Sequence, residues 1–384
     1  MKKVIFSIFC MLILFLLTTY CGVMCNDVLY AEQFDLTAKS ALLIDCDSGT
    51  IVFEKEKNKK LPIASMVKLM TIYLTLERLD SGDLTLEQKI HTSENASGMG
   101  GSQVFIDAYA DYSVSDLLKS VIMSSANDAS VALAEAISGS ESVFVNLMNE
   151  TAKKIGMNNT LYCNSTGLPA PEQYSTAEDC ALLLKKILLF DKYHTFSTVW
   201  LDELIHPSGR KTELVNTNKL IKYYDGCDGG KTGSTSEAGY CLTASACRNN
   251  MRLISVIIGA KSGADRFKET TTLFNYGFAN FQNKCLLSKD AVLMELPAIR
   301  CKEQYAQIVP IEDFFAFDKK GTESNYKIDY ELPEHVSNVK CGDTIGKAIV
   351  SKDGNVIKVV DLTVKSDLTP LRFSDNLKRI LECW

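Results

Sequence analysis

Ser65 and Lys68 stand three residues apart in the apolar run LPIASMVKLMTIYL. A serine hydroxyl is a poor nucleophile until a base takes its proton. A lysine can take it only where burial or a nearby cation keeps its amine partly neutral. Residues three apart share a helix face, so a helix starting near Ala64 would bring the two groups together. The same spacing also suits a lysine that extends its charge to water. The tetrad alone does not decide, because Ser208 with Lys211 and Ser337 with Lys340 repeat it. The first of these lies between Pro207 and Gly209 and the second follows Pro333, so neither sits in a helical pattern.

Two further clusters follow in order: Ser125-Ala126-Asn127, and Lys231-Thr232-Gly233. With them Lys68 reads as the base for Ser65, its proton affinity lowered by apolar flanks and by the Lys231 cation. The Ser125 hydroxyl can both accept and donate a proton, as a relay must. The Asn127 amide can hold a peptide group as donor and acceptor. Lys231 and Thr232 suit a carboxylate, and Gly233 removes a side chain where a substrate backbone must approach a strand. His91, His194, His206 and His335 stand outside every cluster, which disfavours a Ser-His-Asp triad. Asp225 and Asp228 read as turn residues.

Several elements must position these groups. KSALLIDCDSGTIVFEK reads as two strands around a turn at Asp47-Ser48-Gly49, leading into the helix with Ser65. SVSDLLKSVIMSSANDASVALAEAISGS holds two helices, the first opened by Ser113 three residues before Asp116, the second running from Asn127 to a stop at Gly139. Their junction is the Ser125 cluster. Phe144–Leu189 continues as helix, broken by NSTGLPAPEQYSTAED. Strands follow from Gly229, with a hairpin turn at Arg248-Asn249-Asn250, then a helix over Asp265–Phe281. Beyond Cys285 short alternating segments, with a turn at Asp353-Gly354-Asn355, predict a β-rich second domain over 285–370.

The 384 residues suffice for about two domains. A net charge of −6 gives no basic footprint for nucleic acid. The start, MKK followed by VIFSIFCMLILFLLTTYCGVM, has the form of a signal peptide over 1–31, cut after Ala31, and predicts export. Thirteen cysteines show no ligand spacing for a metal. Cys46, Cys180, Cys241 and Cys247 sit in apolar patterns, as small core residues do, and most of the thiols are expected free and buried. The tail over 374–384 places Leu377, Ile380, Leu381 and Trp384 on one helical face, short for an interfacial anchor but able to give peripheral membrane contact or to dock on the protein.

The trio Ser-x-x-Lys, Ser-x-Asn and Lys-Thr-Gly resembles that of the low-molecular-mass penicillin-binding proteins of the D-alanyl-D-alanine carboxypeptidase family. The likeness extends through FVNLMNETAKKIGMNNT, YSTAEDCALLL and DGGKTGSTSEAGYCLTASA, over most of 38–281. It implies a mixed α/β fold: a β-lactamase/transpeptidase-like domain with an antiparallel sheet flanked by helices, a helical subdomain and a small β-rich C-terminal domain. It implies an acyl-enzyme on Ser65, removal of a terminal D-alanine from peptidoglycan stem peptides, β-lactams as inhibitors, and no metal or cofactor. By the same resemblance the oxyanion meets the backbone N–H groups of Ser65 and Ser234, and Arg266 helps fix the substrate carboxylate. Ala126 replaces a glycine common in relatives, and Ser234 a histidine or tyrosine. One alternative is a β-lactamase, although Pro171-Glu172-Gln173-Tyr174-Ser175 lacks the glutamate–asparagine pattern of that class. Another is a penicillin-binding sensor without useful turnover.

Overall fold

The computed structural model describes residues 34–289, 291–372 and 375. The signal-peptide call over 1–31 and, apart from residue 375, the tail call over 374–384 lie outside them. The described chain divides into two compact units: residues up to Cys247 with Arg252–Gly277, and Arg248–Met251 with residues from Phe278 on.

In the first unit a five-stranded sheet runs in the order Ile51–Lys55, Ser40–Asp45, Met251–Ala260, Gly239–Arg248, Cys227–Thr235. The turn between Gly239–Arg248 and Met251–Ala260 is Asn249-Asn250, both at positive φ (50° and 59°), the twist that tight hairpins favour. The helix Lys68–Asp80 is buried at every residue from Lys68 through Leu76. Its apolar residues therefore face neighbours on all sides, as in a central core helix. Leu69, Met70 and Ile72 join Leu117, Val121, Ala129, Leu133, Phe144 and Leu183 in one core. Val114–Ser124 opens on Ser113, whose hydroxyl accepts from the Asp116 N–H at 3.0 Å and donates to its carboxylate at 2.6 Å. Asn127–Ser138 ends at Gly139, at φ 79°.

The expected helix start near Ala64 is corrected. Ala64–Val67 is a single 3₁₀ turn, and the α-helix begins at Lys68. Ala64 itself is left-handed (φ 49°), which a regular helix cannot hold. The strand pairs Leu201–Ile205 with Lys211–Val215, and Lys89–His91 with Asp111–Ser113, escape the sequence patterns because their strands are short.

In the second unit five strands run in the order Met294–Pro297, Tyr305–Pro310, Asn355–Val364, Gly346–Lys352, Tyr326–Glu331, and Phe281–Leu287 pairs with Phe314–Lys319. Val360, Leu362 and Val364 alternate into its core with Ile308, Ala348 and Val350, the period-two pattern of a sheet with one buried face. Of the nine described cysteines, Cys46, Cys180, Cys241 and Cys301 are buried. Cys227 and Cys247 are half-buried, while Cys163, Cys285 and Cys341 are exposed, so the expectation of mostly buried thiols is too strong.

Candidate active site

Side chains at i and i+3 eclipse in a 3₁₀ turn, which lines up Ser65 with Lys68 more closely than an α-helix would. Lys68 Nζ lies 3.2 Å from Ser65 Oγ and donates to the Thr166 carbonyl. Lys68 is fully buried. Burial pushes its ammonium down to about 7, with the Asp128 charge opposing. A neutral amine is therefore present near neutral pH, as a base needs. Of the two expected causes, burial is the leading one for Lys68, and the repulsion between the two lysines bears on Lys231 as well. That ammonium is held well below its ordinary value by burial, then by Lys68 and Arg266.

Ser125 ends the helix Val114–Ser124 in the left-handed region (φ 61°), a position rarely taken by a residue other than glycine. Lys231 Nζ donates to Ser125 Oγ at 2.7 Å and to the Thr232 carbonyl at 3.0 Å. Two residues on, the Asn127 N–H donates to the Ser102 carbonyl at 2.7 Å and Nδ2 to the Gly100 carbonyl at 2.6 Å. Asn127 Oδ1 is buried without a partner, an acceptor left free for an incoming N–H.

Lys231, Thr232, Gly233 and Ser234 lie on Cys227–Thr235, an edge strand of the sheet. An edge strand can pair with an extended peptide through its backbone. A Cβ on Gly233 would stand 2.5 Å from the Ile63 carbonyl oxygen and 3.1 Å from the Ser65 nitrogen, so only glycine lets the strand reach the Ser65 turn. Thr232 Oγ1 donates to Thr217 Oγ1 at 2.9 Å, and the Ser234 side chain is exposed. Arg266 donates to the carbonyls of Gly233 (3.0 Å) and Cys241 (3.3 Å) beside the rings of Phe267 and Tyr240. Its Nε is buried and unpartnered.

The structure thus brings Ser65 to Lys68, Ser125 to Lys231, and Gly233 to the Ser65 backbone. Asp228, read as a turn residue, is a strand residue that pairs with Arg252 and accepts from Ser245 Oγ at 2.6 Å. Sequence reasoning missed Thr166, whose backbone carbonyl carries no side-chain signature. It also missed the loop's supports: Glu141 accepts from Ser165 N (2.9 Å) and Oγ (2.7 Å), and Asn164 Oδ1 from Gly167 N (2.7 Å). Gly167, at φ 80°, lies against the Ala64 carbonyl, where any Cβ would collide. Among the described residues no cluster of three His, Cys, Asp or Glu side chains could hold a metal ion. Nor is any helix there long and apolar enough to cross a membrane.

Residues 27–262 match the family described as D-alanyl-D-alanine carboxypeptidase, and residues 281–370 match the penicillin-binding protein 5 C-terminal domain. The chain is 38% identical to the D-alanyl-D-alanine carboxypeptidase DacF of Bacillus subtilis, covering 90% of each sequence. It is 33% identical to DacC of Escherichia coli, covering 88% of this chain and 86% of that one. Penicillin binding protein 5 from Haemophilus influenzae superposes with TM-score 0.68 at 33% identity, covering 88% of this chain and 99% of the other. Penicillin-Binding Protein D2 from Listeria monocytogenes, in its ampicillin-bound form, superposes at TM-score 0.58 and 31% identity over 64% of this chain and 99% of that one.

Proposed function

The chain belongs to the D-alanyl-D-alanine carboxypeptidase family, and from that premise we propose that Ser65 is its nucleophile, Lys68 its general base and Ser125 its proton relay. The observation that carries the assignment is the buried Lys68 amine 3.2 Å from the Ser65 hydroxyl. Ser65 Oγ attacks the carbonyl of the penultimate D-alanine and its proton passes to Lys68. The oxyanion meets the backbone N–H groups of Ser65 and Ser234. Ser125, fed by Lys231, hands a proton to the departing amine, so the terminal D-alanine leaves and an ester remains on Ser65. Water then hydrolyses that ester. The arriving carboxylate binds Lys231 and Thr232 and favours the charged form of Lys231 that burial disfavours, with Arg266 assisting through the strand. Asn127 Oδ1 accepts a substrate N–H. β-Lactams acylate the same hydroxyl.

The substrate class is the peptidoglycan stem pentapeptide, met outside the cytoplasm after export of the chain. The chemistry belongs to a catalytic domain over 38–281. The β-rich domain over 285–370 and the tail over 374–384 are accessory, the tail giving peripheral membrane contact. Incubation with a purified disaccharide pentapeptide, followed by mass spectrometry, tests the reading. It predicts a tetrapeptide product and free D-alanine, both absent with Ser65→Ala. A pentapeptide left intact by the wild type would refute it.

A further inference from the structure

Asp128 is fully buried directly behind the Ser125 cluster, and backbone N–H groups are the donors to its carboxylate. Oδ1 accepts from Ala129 N at 2.9 Å and Val104 N at 3.2 Å; Oδ2 accepts from Val104 N and Ile106 N, each at 3.1 Å. The segment it holds is the one whose Gly100 and Ser102 carbonyls grip Asn127. Asp128 also opens the helix Asn127–Ser138, which packs on the base's helix through a buried polar seam. In that seam Ser130 Oγ donates to the Ser165 carbonyl at 2.9 Å, and Thr71 Oγ1 donates to the same carbonyl at 3.1 Å. Thr166, the next residue, supplies the carbonyl that holds Lys68.

We infer that Asp128 is a positioning residue: one buried carboxylate that fixes the Asn127-gripping segment and places a negative charge toward the Lys68 amine. The inference rests on the proposed roles of Lys68 and Asn127. The charged groups facing the pair are few. Lys231 faces Lys68 from the edge strand, and His206, on the segment between the Leu201–Ile205 and Lys211–Val215 strands, feels Asp128. Arg210 stands beside His206 and donates to the Phe105 carbonyl. A base must hold the proton it takes, and burial alone works against the ammonium. The Asp128 charge opposes that loss, so it favours the step in which Ser65 gives up its proton. It does so without touching substrate.

The test is the pH dependence of β-lactam acylation, followed by intact mass, for the wild type, Asp128→Asn and Asp128→Glu, with pentapeptide kcat and KM alongside. Asp128→Asn removes the charge and sets an amide N–H₂ against backbone donors. Its acid limb should move down by about one pH unit, the scale of a nearby charge, and its KM should rise as Asn127 loosens. Asp128→Glu keeps the charge, so its midpoint should return to the wild-type position while KM stays raised. A folded Asp128→Asn protein with an unmoved midpoint would overturn the inference. Should that protein not fold, Asp128→Glu decides: a midpoint that falls although the charge is kept would also overturn it. Failure of the wild type to acylate at any pH would count against Ser65 and Lys68 instead.

Discussion

On the proposed mechanism, a single amine taken out of water would turn an ordinary serine into a nucleophile. Lys68 is buried, and its ammonium titrates near 7 because desolvation outweighs the attraction of Asp128. Acylation by penicillin should therefore rise with pH and reach half its plateau near pH 7, since the reactive neutral amine exists above that point. A stopped-flow profile flat from pH 5 to pH 9 would remove Lys68 as the base, the wild-type range being set by the ordinary carboxylate and lysine limits. Lys68→Ala should slow acylation by about 10²–10⁴-fold, the usual worth of a positioned proton acceptor, without abolishing binding. These residues were legible in the sequence because side-chain chemistry at fixed spacing leaves a signature. Thr166 was not, since the contribution comes from a carbonyl every residue has. The apolar flanks of Lys68 pointed to burial as a source of its shift, and burial is the leading cause in the fold.

At the scale of elements, left-handed backbone at Ala64 and Ser125, with Gly167 pressed against the first, holds the reacting groups where regular helices would not. Gly233→Ala should test how closely the edge strand must approach. Its Cβ has no room between the Ile63 carbonyl and the Ser65 N–H, so acylation should fall by about 10²–10³-fold, as when an oxyanion donor is lost. Unchanged acylation would show that the strand can retreat without harm. Ser113→Ala is the contrasting case. It removes the cap of the helix that ends at Ser125, costs about 1 kcal/mol by the usual worth of such a cap, and should lower the melting temperature while acylation persists. The cap and the turns at Asn249-Asn250 and Asp353-Gly354 could be read from the sequence, because local hydrogen bonding and positive φ select residue types. The 3₁₀ turn could not, because its geometry is imposed by the Gly167 loop and the strand packed upon it.

Taken whole, the chain keeps every proposed site residue in the first compact unit, and its described cysteines lie in both units at all degrees of burial. Burial pushes the Cys46 and Cys180 thiols up to about 12, which leaves them unreactive thiols at neutral pH. Alkylation of the native protein with peptide mapping should modify Cys163, Cys285 and Cys341, and should reach Cys46, Cys180, Cys241 and Cys301 only after unfolding. Disulfide-linked peptides among these would contradict that picture. The short alternating segments after Cys285 lie in the second compact unit, whereas grouping of the Arg248–Met251 turn with that unit is a tertiary fact that no local pattern encodes. The most direct test of the account is to locate the penicilloyl group after trypsin digestion. It should sit on Ser65 within the peptide that follows Lys60, in wild type and, more slowly, in Lys68→Ala. An adduct on any other residue, or none with wild type, would contradict it.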